Sequence, residues 1–298
     1  MKAVKPTFFI IGAAKSGTTS LAQQLSEQAG IFIPARKEMM FFNRSAVIPA
    51  AVAQYEKAFE TEKEVDLSGE ASPQYSFGST FPYTASRIAE YCPHAKIIYV
   101  VRDPVVRMQS HILQIRNWGG IGDRSVQDTI AAYPQVLEAS MYASRIQDYL
   151  RAFPMNQLMI IPFESLIAEG GLWLGRVAEF LGVSVRRAEG LVRKNISAHH
   201  FEDRGVMRLL RRFGLGEVGR FLPQGAKSRF IHLFKKRQTG PPPIPAKDAD
   251  VLEQLFREEV KPLMDEWNVD IGAWSFRPQA EPFSNVVPKE YEGRIRLS

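Results

Sequence analysis

The run Thr7-Phe8-Phe9-Ile10-Ile11-Gly12, followed at once by Ala13-Ala14-Lys15-Ser16-Gly17-Thr18-Thr19, constrains this chain more than any other stretch. A continuous apolar run ending in glycine reads as a strand buried on both faces, as in parallel sheets. Thr18 to Ala29 then shows helical spacing, with Leu21 and Leu25 on one face. A strand, a turn of small residues and a helix in succession bring backbone N–H groups and a positive helix end to one point. Lys15 adds a full charge there, and Thr18 and Thr19 add hydroxyl donors. The combination reads as a phosphate cradle. It is not a Walker A loop, which ends in Gly-Lys-Ser/Thr, because here the lysine precedes the second glycine. Nor is it Gly-x-Gly-x-x-Gly.

The remaining pattern extends this start into an α/β fold. Phe32-Ile33, Val65 to Glu70, Lys96 to Val101 and Leu158 to Ile161 read as strands. Ala50 to Phe59, Pro82 to Tyr91, Pro104 to Arg116, Ser140 to Phe153 and Leu172 to Leu181 read as helices. Strands alternating with helices predict a P-loop-like parallel sheet flanked by helices on both faces. After Asn195 the pattern loosens. Gly240-Pro241-Pro242-Pro243-Ile244-Pro245 can be neither helix nor central strand, Lys247 to Trp267 reads as one helix, and from Phe276 no period is visible. The chain of 298 residues is therefore expected to form one domain: a core over 7–185, a basic helical or loop insertion over 196–246, and a C-terminal helix and tail over 247–298.

Charge and cysteine content narrow the function classes. Net charge is +6, concentrated between Arg204 and Arg237, where ten Lys/Arg face one acid, Glu217. Val206, Leu209, Leu210 and Phe213 within it have helical spacing. A solvated helical hairpin, a basic wall around an anionic ligand and peripheral membrane contact through 205–237 all suit it. It lacks a recognised nucleic-acid motif, so no nucleic-acid partner is expected. The single cysteine, Cys92, leaves no internal disulfide and no cysteine cluster for a metal. His199-His200 are adjacent, which is not a ligand spacing on a helix, and no metal is expected. The apolar run Phe8 to Ala14 is far short of the about 20 residues that span a bilayer. No signal-peptide cleavage pattern follows it, and the expected location is cytoplasmic.

A second motif, Val100-Val101-Arg102-Asp103-Pro104-Val105-Val106-Arg107-Met108-Gln109-Ser110-His111, delivers Arg102 at a strand's carboxyl end, where open α/β sheets bind ligands. Arg102 can grip a phosphate bidentately, and Ser110, eight residues on, can donate a hydroxyl bond. The loop at 9–21 and this motif together resemble the sulfotransferases that use 3′-phosphoadenosine 5′-phosphosulfate (PAPS), in the branch that includes heparan sulfate sulfotransferases. Arg36-Lys37-Glu38-Met39-Met40-Phe41-Phe42 is similar to that family's Lys-Glu-x-His-Phe-Phe segment, and Gly69-Glu70-Ala71-Ser72-Pro73-Gln74-Tyr75 to its Glu-Lys-Ser-Pro-x-Tyr segment. Tyr142, Phe153-Pro154, Glu164 and Phe180-Leu181-Gly182 extend the likeness, and Leu252 to Trp274 resembles the family's last helix and its terminal Trp.

The resemblance implies sulfuryl transfer from PAPS, with PAP as product, to a hydroxyl or amine of a carbohydrate, lipid or small metabolite. It places Lys15, Ser16, Gly17, Thr18, Thr19 and Ser20 on the 5′-phosphosulfate, and Arg102 and Ser110 on the 3′-phosphate. Lys15 and the general base are the catalytic groups, the base being Glu38 or, as second choice, His111. Arg107 is expected to be structural or to face the acceptor. Met40 stands where the family has His and Ala71 where it has Lys, which leaves Lys15 as the main cation at the reaction centre, with Lys37 as a helper. The cysteine-flanked loop of the animal heparan enzymes is absent, so a heparan acceptor is not implied. The competing classes are a kinase-like P-loop nucleotide enzyme and a non-catalytic nucleotide or anion binder on the same fold.

Overall fold

The computed structural model describes residues 2–3, 5–35, 38–62, 64–117, 124–184, 200–203, 235–238 and 243–278. The apolar run at the start forms strand β1 (Phe8–Gly12), and helix α1 (Thr18–Ser26) follows it. Then come β2 (Ile31–Phe32), α2 (Pro49–Glu56), β3 (Leu67–Ala71), α3 (Thr84–Tyr91), β4 (Lys96–Val101), α4 (Pro104–Asn117), α5 (Tyr142–Leu150), β5 (Leu158–Pro162), α6 (Gly170–Leu181) and α7 (Ala246–Asp265). The main sheet runs β2-β3-β1-β4-β5 with every pairing parallel. The chain leaves β1 toward one edge, returns through β3, and crosses to β4 on the other side. This reversal at β1 is the switch point at which such sheets bind ligands beyond the carboxyl ends of their strands.

Both faces of the sheet are dry because every position of β1 is buried. Phe8 and Ile10 join Ile98 and Val100 against Leu21 and Leu25 of α1 and Leu174 and Val177 of α6. Phe9 and Ile11 join Ile97, Tyr99 and Val101 on the opposite face, under Ile88 of α3, Met108 of α4, Ile146 of α5 and Phe256 of α7. The pleat thus deals alternate residues of one run to two cores, and the expected two-faced α/β architecture is the one found.

Several elements differ from the sequence reading. Helices over Val126–Ala132, Gln135–Glu138 and Phe163–Ala168 are too short for a helical period to register. The helical spacing of Val206 to Phe213 lies outside the described residues, and only two short strands at the borders of the basic insertion are described. His200–Asp203 and Lys235–Gln238 pair there as an antiparallel ribbon, His200 opposite Gln238. The rest of that segment, the Pro-rich run up to 242, and the tail from 279 lie outside the described residues. Phe276, read as the start of a patternless tail, is 3% exposed and packs on Trp274 at a ring distance of 5.9 Å. It belongs to the core.

Gly69 of β3 marks the tightest approach in the sheet. A Cβ there would lie 2.2 to 2.5 Å from ring atoms of Phe8, which is itself fully buried. Gly69→Ala is therefore expected to overpack the core and cost about 1–3 kcal/mol, measured as a lower urea midpoint. An unchanged midpoint would show that the Phe8 ring yields freely.

Candidate active site

The loop between β1 and α1 is built around two left-handed residues, Lys15 at φ 73° and Gly17 at φ 79°. Gly17 is the residue before α1, and a Cβ on it would stand 2.7 Å from the Phe163 ring. Ser16 N–H donates to the Ala13 carbonyl, and the Gly17 carbonyl accepts from Ser20 and Leu21. Because α1 opens at Thr18, the N–H groups of Thr18 and Thr19 precede any intrahelical acceptor. Alternation of right- and left-handed residues before such a helix end makes a concavity that receives anions.

Two arginines, Arg102 just past β4 and Arg107 in α4, hold this loop from behind by its carbonyl oxygens. Arg102 Nη1 donates to the Lys15 carbonyl at 3.1 Å, and its guanidinium lies 4.8 Å from the centre of the Phe163 ring. Phe163 thus separates the loop's glycine from the arginine and packs on both. Arg107 Nη1 donates to the Ala14 carbonyl at 3.3 Å, its Nε to Ser140 Oγ at 2.6 Å, and its Nη2 to the Val136 carbonyl. Arg107 is 0% exposed, and these partners are neutral. Its guanidinium pKa is pushed down to about 10, chiefly by burial. Of the two expectations for Arg107, a structural role or one facing the acceptor, these contacts support the structural one.

The result is a concentration of positive charge. Burial, then Arg102 and Arg107, push the Lys15 ammonium down to about 8, with Glu38 acting in the opposite sense. The Ser16 hydroxyl is fully buried with no hydrogen-bond partner among the described residues. A phosphate fits such a loop: it supplies the missing negative charge, and an acceptor for an orphaned hydroxyl. Thr18 is buried; Thr19 and Ser20 are half-buried in the first turn of α1. Ser110 stands two turns into α4, 2% exposed.

Glu38 reaches the site from the other side of β1. Its N–H donates to the Ala71 carbonyl at the end of β3. Its Oε2 accepts from Gln74 Nε2 at 2.6 Å. The segment it belongs to is pinned by a buried carboxylate. Glu70 accepts from Tyr55 and Ser72 at 2.5 Å and from Tyr75 at 2.8 Å. The Ser72 and Tyr75 hydroxyls in turn accept the N–H groups of Met40 and Phe42. Burial raises the Glu70 carboxyl above its ordinary value, against the pull of those hydroxyls. Glu38, Thr18, Thr19, Ala71 and Pro73 border a cleft of about 260 Å³ that continues along α1. Lys37, the expected helper cation, lies outside the described residues.

His111 is placed differently from Glu38. It is 6% exposed, stacked on Phe77 at 5.9 Å, and its Nδ1 is 3.3 Å from Arg107 Nη1. Since a guanidinium only donates, Nδ1 accepts and the ring proton resides on Nε2. Burial, Arg107 and Lys15 hold its pKa well below 6.5. Gln74, Phe163 and Glu70 escaped the sequence reading as site residues. The contact from Gln74 to Glu38 spans 36 residues, and no local pattern announces it.

A family model described as "Sulfotransferase domain" matches residues 5–209. The human heparan sulfate glucosamine 3-O-sulfotransferases 3B1 and 3A1 are each 27% identical over 240 residues, 70% of this chain and 60% and 58% of theirs. The chain thus spans about three-fifths of the length of these curated relatives. The crystal structure of a sulfotransferase from Alicyclobacillus acidocaldarius superposes with a TM-score of 0.64 at 22% identity, covering 91% of this chain and 99% of that one.

The depressed Lys15 pKa generates a pH prediction. An anion favours the charged ammonium, so Lys15 takes up a proton on binding wherever it is neutral beforehand. Affinity for PAP is expected to hold below pH about 8 and to fall above it, by up to tenfold per pH unit. Calorimetry across that range checks this. Lys15→Met should bind weakly and without the decline.

Proposed function

Because this chain belongs to the sulfotransferase-domain family, we propose that it transfers a sulfuryl group from PAPS to a hydroxyl of an acceptor. The observation that carries the reading is the pairing of a phosphate-shaped, cation-rich loop with a carboxylate held across a cleft from it. PAPS, when bound, supplies an activated sulfuryl group whose leaving group is PAP.

In this reading the loop amides, Ser16, Thr18, Thr19 and Ser20 hold the 5′-phosphate, and Arg102 and Ser110 hold the 3′-phosphate. Lys15 neutralises charge gathering on the 5′-phosphate oxygen as its bond to sulfur breaks. Glu38 takes the proton of the acceptor hydroxyl as that oxygen bonds to sulfur. The arrangement needs attacking and leaving oxygens in line, so fixing Glu38 and Lys15 is most of the protein's task. Two observations favour Glu38 over His111 as base. Glu38 borders the cleft, whereas the acceptor nitrogen of His111 is turned to Arg107. The names of the human relatives, glucosamine 3-O-sulfotransferases, support a carbohydrate hydroxyl as acceptor.

Glu38→Gln should lower turnover about 10²- to 10⁴-fold while leaving calorimetric affinity for PAP unchanged. Retained turnover would remove Glu38 from the role. Gln74→Ala, which frees the carboxylate to rotate, should lower kcat by about ten- to a hundredfold with little change in KM.

A further inference from the structure

Asp103 follows Arg102 in the chain. Glu164 follows Phe163, whose ring lies under the Arg102 guanidinium, and is close enough for the two charges to interact. A carboxylate is a phosphate's strongest rival for a guanidinium. Both carboxylates are occupied by N–H and O–H donors, and these divide in a revealing way. Asp103 Oδ1 accepts from Val105 and Val106, capping α4, and Glu164 Oε1 accepts from the Asp103 N–H. The second oxygens are filled by one segment after α7. Asp103 Oδ2 accepts from the Ser275 N–H at 2.9 Å, the Ser275 hydroxyl at 3.1 Å and the Phe276 N–H at 2.9 Å. Glu164 Oε2 accepts from Trp274 Nε1 at 2.8 Å.

The same segment steadies the Arg102 backbone. The Tyr142 hydroxyl donates to the Arg102 carbonyl at 2.6 Å and accepts its N–H at 3.3 Å, and the Tyr142 ring packs on Trp274 at 5.8 Å. Glu259 of α7 caps the Ser144 N–H at the start of α5, the helix that begins with Tyr142. Trp274 and Phe276 are 6% and 3% exposed, so the segment is docked in the core.

We propose that Trp274–Phe276, acting through Asp103 and Glu164, positions Arg102 for the 3′-phosphate by keeping both carboxylates from drawing the guanidinium aside. This rests on the donor reading above. The test compares calorimetric affinities for PAP and adenosine 5′-phosphate, which differ only in the 3′-phosphate. Trp274→Phe keeps the ring and removes the donor to Glu164. It should weaken PAP about three- to tenfold and leave adenosine 5′-phosphate unchanged. Adding Glu164→Gln should restore much of the loss, because the rival that Trp274→Phe releases then carries no charge, while Asp103 keeps its donors from Ser275 and Phe276. Ser275→Ala, which removes one donor from Asp103 and no buried ring, must move the ratio in the same direction, and it decides the matter if Trp274→Phe fails to fold. Equal loss for both nucleotides, or no loss, overturns the proposal while leaving the donor reading intact. A wild-type chain with no preference for PAP contradicts both.

Discussion

Arg102 and Arg107 grip the carbonyl oxygens of Lys15 and Ala14, and the rest of the site depends on those two bonds. They fix a loop that contains a strained lysine and a glycine no side chain could replace. They also place two guanidinium groups behind a half-buried ammonium, an arrangement that opposes itself until an anion arrives. A fully buried arginine with no carboxylate partner among the described residues is costly. Here its hydrogen bonds are met by carbonyls, Ser140 and His111, and its charge remains available to the loop in front of it.

Two further devices hold the flanks of this centre, one built on a single buried carboxylate and the other on two. On the β3 side, Glu70 gathers three hydroxyls and through them ties down the segment that carries Glu38. On the β4 side, Asp103 and Glu164 gather N–H donors from α4 and from the segment after α7. The placement of Glu38 and Arg102 is thus set by buried carboxylates and the donors they gather. The sheet supplies only the coarse placement, with β1 and β4 adjacent at the switch point.

How far the sequence foretold this depends on the range of the interactions. β4 has the bounds its apolar run predicts, Lys96 to Val101, because six consecutive hydrophobic or amphipathic residues admit no other burial. The loop and Arg102 were legible because each sits at a strand end, where local order fixes position. His111 follows Ser110 and reads from the sequence as the second choice of base, and only the fold turns its acceptor nitrogen to Arg107. Gln74 beneath Glu38, Phe163 beneath Arg102, and Phe276 on Asp103 are contacts across 36, 61 and 173 residues. No periodicity encodes such pairs, so they became visible only with the fold.

The central claim is that the loop and Arg102 together read a nucleotide carrying phosphates at both the 3′ and 5′ positions. The most direct measurement is calorimetric titration of the purified chain with PAP, alongside ADP and ATP without and with magnesium. The account predicts tightest binding for PAP, unaffected by magnesium. Tighter binding of ATP with magnesium would contradict it and turn the same loop into the cradle of a kinase-like enzyme.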